Sequence, residues 1–218
     1  MRIAILGGTG NIGRGLALRW GFEHEIIIGS RVGSKAERAA EEYAQTLSAV
    51  TSSACQIKGA VNAEAVTVAD IVVIAVPYRA MKELVDAIRP VLDDQIVISL
   101  VVPMERSNSY LRYTAPPDGS AAMELRNLLP DTVKVIAAFH NLPGKKLRKI
   151  NMRLPGDVVV CGDEGARGVV SALVEEIDGL RVLDGGGLED AAMVESLTPF
   201  LINIAMRNNL SELGIRFV

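Results

Sequence analysis

Gly8, Gly10 and Gly13 stand at the spacing G-x-G-x-x-G, directly after the apolar run Ile3-Ala4-Ile5-Leu6 and ahead of an amphipathic stretch over 12–20. Glycine at that spacing lets a main chain come close to a pyrophosphate. Gly8 allows a tight turn, Gly10 admits the anion against the backbone, and Gly13 lets the following helix pack on the strand. The bare N–H groups of the helix's first turn, with the positive end of its dipole, complete an anion site. A purely structural glycine turn could carry the same letters. The strand before it and the helix after it favour a dinucleotide site instead.

The residues one strand later say which dinucleotide. An NAD site places a carboxylate about 20 residues on, at the end of the second strand, where it binds the ribose 2′-hydroxyl. Here the strand at 25–28 runs into Gly29-Ser30-Arg31, with Lys35 one helical turn further. A carboxylate would repel a 2′-phosphate, whereas Arg31 can grip it as a fork and Lys35 can add a point charge. The plainer reading, solvated cations at a helix start, is the weaker one because cations there oppose the helix dipole. The expected ligand is NADP.

Other chemistries lack their residues. There is no nucleophile elbow with an ordered Ser-His-Asp set, no H-E-x-x-H and no P-loop lysine. Two cysteines, Cys55 and Cys161, and two histidines, His24 and His140, are too few for a zinc site, so no metal is expected. Hydride transfer asks less of side chains, because the cofactor carries the chemistry. The protein aligns donor and acceptor carbons within roughly 3 to 3.5 Å and excludes water. No catalytic side chain is assigned; His140 could move a proton or only position a ligand.

The elements that must hold these residues alternate. The pattern predicts a helix over 34–46 with Ser34 as N-cap, a weak strand over 55–58, a short segment capped by Asn62, and a buried strand over 71–76 stopped by Pro77. A helix over 80–89, a strand over 95–99, a loop over 104–119, a helix over 120–129 and a strand over 134–138 follow. Next come the basic run Lys145-Lys146-Leu147-Arg148-Lys149, read as a loop that is solvated or meets an acidic tail, a strand over 157–161, a helix over 166–177 and a strand over 180–183. This is an α/β chain with a doubly wound, Rossmann-type parallel sheet, right-handed crossovers and a C-terminal α-helical extension. Ala75, Val76, Val101, Val102, Ala137 and Ala138 are expected to form a smooth wall at the sheet's carboxyl edge, unless these are ordinary strand ends. The extension, 188–208, has helical spacing with Met193, Leu197, Phe200, Leu201, Ile204 and Ala205 on one broad buried face. Pro199 should kink it and free a carbonyl near Glu195. Residues 1–143 are read as an NADP-binding domain and 144–218 as a smaller α/β-plus-helix part.

With 218 residues, 49% hydrophobic content and a net charge of −3, the chain can bury a full core and has no global field for nucleic acid or an anionic membrane. No stretch approaches the roughly 20 apolar residues of a membrane span, and no leader precedes the first strand. A cytoplasmic protein is expected, without nucleic-acid or membrane partners.

Gly7-Gly8-Thr9-Gly10-Asn11-Ile12-Gly13, Gly29-Ser30-Arg31, Leu100-Val101-Val102-Pro103, Val160-Cys161-Gly162-Asp163 and Glu176-Ile177-Asp178-Gly179-Leu180-Arg181 closely resemble the archaeal NADPH:F420 oxidoreductases. So, above all, do Val194-Glu195-Ser196-Leu197-Thr198-Pro199 and Glu212-Leu213-Gly214-Ile215. The resemblance runs almost the whole length and is weakest over 104–120 and 144–156. It implies reversible hydride transfer between reduced coenzyme F420, an 8-hydroxy-5-deazaflavin, and NADP+. It further implies that Thr9, Gly10, Asn11, Ile12, Ser30, Arg31 and Lys35 hold NADP, with Val76, Val101 and Ala137 beside its nicotinamide half. His140, Leu142, Ser196, Thr198 and Pro199 would shape the deazaflavin pocket. The C-terminal part would complete the F420 site and form the interface of a homodimer or homotetramer. The alternatives are an NADPH-dependent imine or ketone reductase and an NADPH-sensing regulator without turnover.

Overall fold

In the first strand, β1 (Arg2–Leu6), Ile3 and Ile5 point to one side and Ala4 and Leu6 to the other, all fully buried. A strand apolar on both faces has to sit in the middle of a sheet with helices above and below. The computed structural model, which describes residues 1–51 and 54–218, has that arrangement. The chain continues through α1 (Asn11–Trp20), β2 (Glu25–Ser30), α2 (Gly33–Ser48), β3 (Ile57–Val61), α3 (Asn62–Thr67), β4 (Ile71–Ile74), α4 (Met81–Ile88) and β5 (Ile96–Ser99). Then follow β6 (Met104–Ser107), β7 (Tyr110–Tyr113), α5 (Ala121–Leu128), β8 (Lys134–Ala137), α6 (Gly144–Leu147), β9 (Gly156–Gly162), α7 (Glu164–Glu175), β10 (Leu180–Asp184) and α8 (Ala191–Arg207). One eight-stranded sheet has the order β10-β9-β8-β5-β4-β1-β2-β3. One core layer lies under α1, α2 and α7, the other under α3, α4, α5 and α8.

The Rossmann-type winding expected from the alternation is present, with two departures. β9 runs antiparallel to β8, through Ile136 opposite Gly162 and Ala137 opposite Cys161, although β9 and β10 are parallel. The segment joining β8 to β9 contains only the four-residue α6, too short a helix to carry the chain back across the sheet, so β9 starts at the carboxyl edge and returns from there. Residues 104–119 are not simply a loop: β6 and β7 pair as an antiparallel hairpin outside the main sheet. None of its residues is fully buried, Leu111 and Tyr113 being only half-buried, so no strong hydrophobic alternation announces it.

Smaller corrections concern caps and helix faces. Ser34 does not cap α2, whose N-cap position is Val32; the Ser30 hydroxyl accepts from Val32 N–H at 3.2 Å. Asn62 lies inside the first turn of α3 and Val61 occupies the cap position. The third strand falls at 57–61, later than expected, and the strand beginning at Ile71 ends at Ile74. Lys145 and Lys146 belong to α6. On α8, Met193 is 73% and Phe200 59% exposed, while Val194, Glu195, Pro199, Leu201 and Ala205 face inward. The helix is apolar on most of its circumference, so spacing alone could not choose the buried side.

Candidate active site

The carboxyl end of β1 turns into α1 through Gly7, which has φ +82°; a Cβ there would stand 2.5 Å from the Ala75 carbonyl oxygen. Only glycine fits that left-handed, crowded turn. A Cβ at Gly10 would meet a single atom, the Gly7 carbonyl oxygen at 3.3 Å, so this side of the loop is open. Gly10 occupies the N-cap of α1 without a side-chain cap, and no acid stands in the first turn, so the anion-binding character of the helix end is intact. The loop is held from behind. The buried Tyr43 hydroxyl of α2 donates to the Gly8 carbonyl at 3.0 Å, and the Arg14 guanidinium lies 5.2 Å from the Tyr43 ring centre.

At the end of β2, Ser30 is half-buried, while Arg31 and Lys35 project into solvent. Arg31 stands 3.7 Å from Glu83, with both side chains at least 70% exposed, a pairing too solvated to hold either in place. Thr9, Gly10 and Asn11 are exposed beside them.

A cavity of about 440 Å³ opens at the carboxyl ends of β1, β4, β5 and β8. Asn11 and Ile12 of α1 edge it, Ala75, Val76, Leu100 and Val102 wall it, and His140, Leu142, Thr198 and Leu201 face them. The structure thus gathers Asn11, Ile12, Val76, His140, Leu142 and Thr198 in one place. Val101, Ala137 and Ala138 do not line it: all three are fully buried in the core layers. Side chains alternate along an extended chain, so a wall that shows Leu100 and Val102 hides Val101. Ser196 and Pro199 do not line it either; the Ser196 hydroxyl donates to the Met193 carbonyl at 2.7 Å, and Pro199 is buried.

His140 follows Phe139, which takes a left-handed backbone, φ 67°, rare for a bulky residue. The Phe139 ring is buried edge-on against Trp20, with centroids 5.5 Å apart, and this packing holds the turn. His140 is 6% exposed, and neither ring nitrogen has a hydrogen bond of ordinary geometry. Burial drives its pKa down to about 4, although the nearby Val101 backbone slightly favours the protonated form. At neutral pH the ring is uncharged, with one donor and one acceptor available.

The far side of the cavity rests on contacts that the sequence did not announce. The Thr198 hydroxyl donates to the His140 carbonyl at 2.6 Å, tying α8 to the turn after β8. Three residues earlier, the fully buried Glu195 carboxylate accepts from Ala121 N–H (3.0 Å), Ala122 N–H (2.9 Å) and the Tyr113 hydroxyl (2.9 Å). Burial pushes the Glu195 carboxyl up, and these donors, two of them at the N-terminus of α5, pull it back toward the ionised form. Asn203 takes both backbone groups of Leu111 at 2.7 Å, fixing the hairpin to α8. The terminal segment supplies Leu210, Ser211, Glu212 and Leu213 to the cavity. It is pinned where buried Asp157 accepts from Phe217 N–H at 2.6 Å and from Arg181 at 2.9 and 2.7 Å. The signal available for Glu195 was the one charged residue in the stretch 191–202, which has to face either water or a set of donors.

A family described as NADP oxidoreductase, coenzyme F420-dependent, matches residues 2–103. An F420-dependent NADP reductase from Methanocaldococcus jannaschii is 38% identical over 219 residues, covering 99% of this chain and 97% of its own. One from Methanothermobacter marburgensis is 37% identical over 221 residues, covering 99% and 97%. A crystal structure from Arthrobacter sp. FB24, of a protein put forward as an F420-dependent NADP reductase, superposes with a TM-score of 0.83 at 21% identity, covering 100% of this chain and 99% of that one. Streptomyces aurantiacus imine reductase superposes at 0.61 with 15% identity, covering 95% and 62%; at these identities the two structures speak for the fold alone.

Proposed function

The chain belongs to the family of F420-dependent NADP reductases, and from that membership we propose that it transfers a hydride between reduced coenzyme F420 and NADP+, in either direction. The observation that carries this reading is a single cavity that touches the glycine-loop helix at Asn11 and Ile12 and, across an apolar wall, His140 and Thr198. Two ring systems stacked there would be shielded from water by Val76, Leu100 and Val102. The residues fit both substrates: Gly10 leaves its Cβ position open, and His140 has two buried nitrogens without partners.

In this reading Gly8, Gly10, Gly13 and the first N–H groups of α1 receive the pyrophosphate, and Thr9, Asn11 and Ile12 border it. Ser30, Arg31 and Lys35 hold the 2′-phosphate, which selects NADP over NAD. His140 positions the second substrate as a neutral donor or acceptor, since burial lowers its pKa to about 4 and leaves the ring uncharged at neutral pH. Leu142 and Thr198 frame that pocket directly, whereas buried Val101, Ala137 and Pro199 support it from beneath, and the Ser196 hydroxyl is taken up within α8. The chemistry belongs to the substrates: the deazaflavin carries a hydride at one end and the nicotinamide accepts it at the other. The chain's own part is alignment and dryness.

Residues 1–143 carry the dinucleotide half, and 144–218 complete the deazaflavin half. We place the protein in the cytoplasm as a homodimer or homotetramer, with the exposed Met193 and Phe200 of α8 as the contact. The test of function is spectrophotometric: purified protein with oxidised F420 should bleach the deazaflavin band on addition of NADPH, and far more slowly with NADH. Turnover of a cyclic imine with no change in F420 would replace this reading with that of an imine reductase.

A further inference from the structure

A second cavity, of about 520 Å³, shares Pro143, Glu212 and Leu213 with the first and is lined further by 152–155 and 214–216. Three of its lining residues are cations, Lys146, Arg153 and Arg216, all exposed, on a chain whose net charge is −3. The one lining carboxylate, Glu212, is already engaged: its oxygens accept from Lys145 N–H at 3.0 and 2.9 Å and from Lys146 N–H at 3.2 Å. Arg153 approaches Asp178 only to 3.5 Å, with both groups more than 70% exposed, so its charge stays available to another anion. The scaffold under these cations is firm. Arg19 of α1 donates to the carbonyls of Leu147, Lys149 and Met152 at 3.0, 2.7 and 2.7 Å, and Leu147 is buried against Gly15.

From the adjoining cavities and the cations around the second, we infer that this groove binds an anionic tail extending from the ring system held in the first cavity, the phosphorylated, glutamate-bearing tail of the deazaflavin substrate. The inference rests on the function proposed above. The tail leaves the ring pocket beside Pro143 and Glu212 and lies along Lys146, Arg153 and Arg216. Its carboxylates and phosphate are attracted by cations that keep their water, so the attraction is modest and sensitive to salt.

The test compares two substrates with NADPH saturating: F420 with its full tail, and the same deazaflavin with its ribityl chain but no phosphate or glutamate. At about 50 mM salt the KM of the tail-bearing form should be about fivefold lower, and the ratio should shrink toward one at about 0.5 M salt. In the Lys146→Ala, Arg153→Ala double variant the ratio of the two KM values should fall toward one at low salt. The wild-type salt series stands by itself if the variant does not fold. Equal KM values for the two substrates at low salt, or a ratio indifferent to both salt and the double substitution, would overturn the groove while leaving the proposed function standing. Reduction of neither deazaflavin would overturn both.

Discussion

At the glycine end of the cavity the groups proposed to meet a ligand come from residues 7–35, and many of them are backbone N–H groups or exposed side chains. At the opposite end the walls come from 139–144, 198–206 and 210–213, brought together by buried side-chain bonds such as Glu195 to α5 and Thr198 to the His140 carbonyl. The first end is made by local geometry and works wherever a strand, a glycine turn and a helix follow one another. The second exists only when distant parts of the chain have packed. A substitution at the first should therefore cost affinity and spare the fold, while one at the second should disturb the pocket through its supports.

The sharpest separation is expected from Gly10→Val. Its Cβ position meets only one protein atom, and its φ of −79° suits any residue, so the protein should fold with a circular dichroism spectrum and melting temperature near wild type. The branched side chain would occupy the pyrophosphate's place, and NADPH binding should be lost. Unchanged NADPH affinity in the folded variant would remove the glycine loop from the site.

At the other end, His140 should make stability depend on pH. Its folded pKa of about 4 lies below the 6.5 of an unperturbed imidazole, so between these values the unfolded chain binds a proton that the native chain refuses. Native stability should fall as pH drops from about 6.5 to about 4, by about 3 kcal/mol in total from this residue. Urea unfolding across that range should show this slope in wild type beyond that of His140→Gln, which retains the contributions of other groups such as Glu195. Parallel profiles would mean that the ring is solvated.

Arg31→Ala tests the exposed cations of the glycine end. It should weaken NADPH binding by about 1.5 to 3 kcal/mol and leave NADH binding nearly as it was, because only NADPH carries the 2′-phosphate. Equal losses for both nucleotides, measured by titration, would take Arg31 out of the site. The smallest effect is expected for Thr198→Val, which keeps the volume and deletes the bond to the His140 carbonyl. It should raise the KM for F420 by a factor equivalent to about 1 kcal/mol and leave NADPH affinity within about twofold. If the melting temperature alone falls and both substrates bind as before, Thr198 is a packing residue only.

The same contrast governs what could be read from the sequence. β1, the glycine loop, α1 and the cations after β2 were legible because each is specified by neighbours a few residues away. Spacing also indicated the alternation of strands and helices through β10. The reversal of β9 was not legible, since it goes with a connection, 138–155, that holds only the four-residue α6 rather than with any pattern within the strand. Nor was the β6–β7 hairpin, whose edge is satisfied by Asn203 from α8. On α8 itself the apolar spacing found only part of the buried side: Leu201 and Ala205 face inward as expected, Met193 and Phe200 look outward, and Glu195 goes inward because donors at the start of α5 await it. A long-range partner decides such a residue, and the partner lies 73 or 74 positions away.

Phe139 puts two incompatible demands on one position. Its backbone, at φ 67°, suits glycine or asparagine, while the space against Trp20 requires a large ring. A lineage drifting at this position could relax the turn only by emptying the core, at about 3 kcal/mol or more for a buried aromatic, and could keep the ring only by tolerating a strain of about 1 to 3 kcal/mol. Neither path offers an intermediate better than its start. The turn that presents His140 is therefore confined to a narrow ridge of sequence space, and new substrate preferences would evolve more readily through the walls around it, at Leu142, Leu201 or the terminal segment.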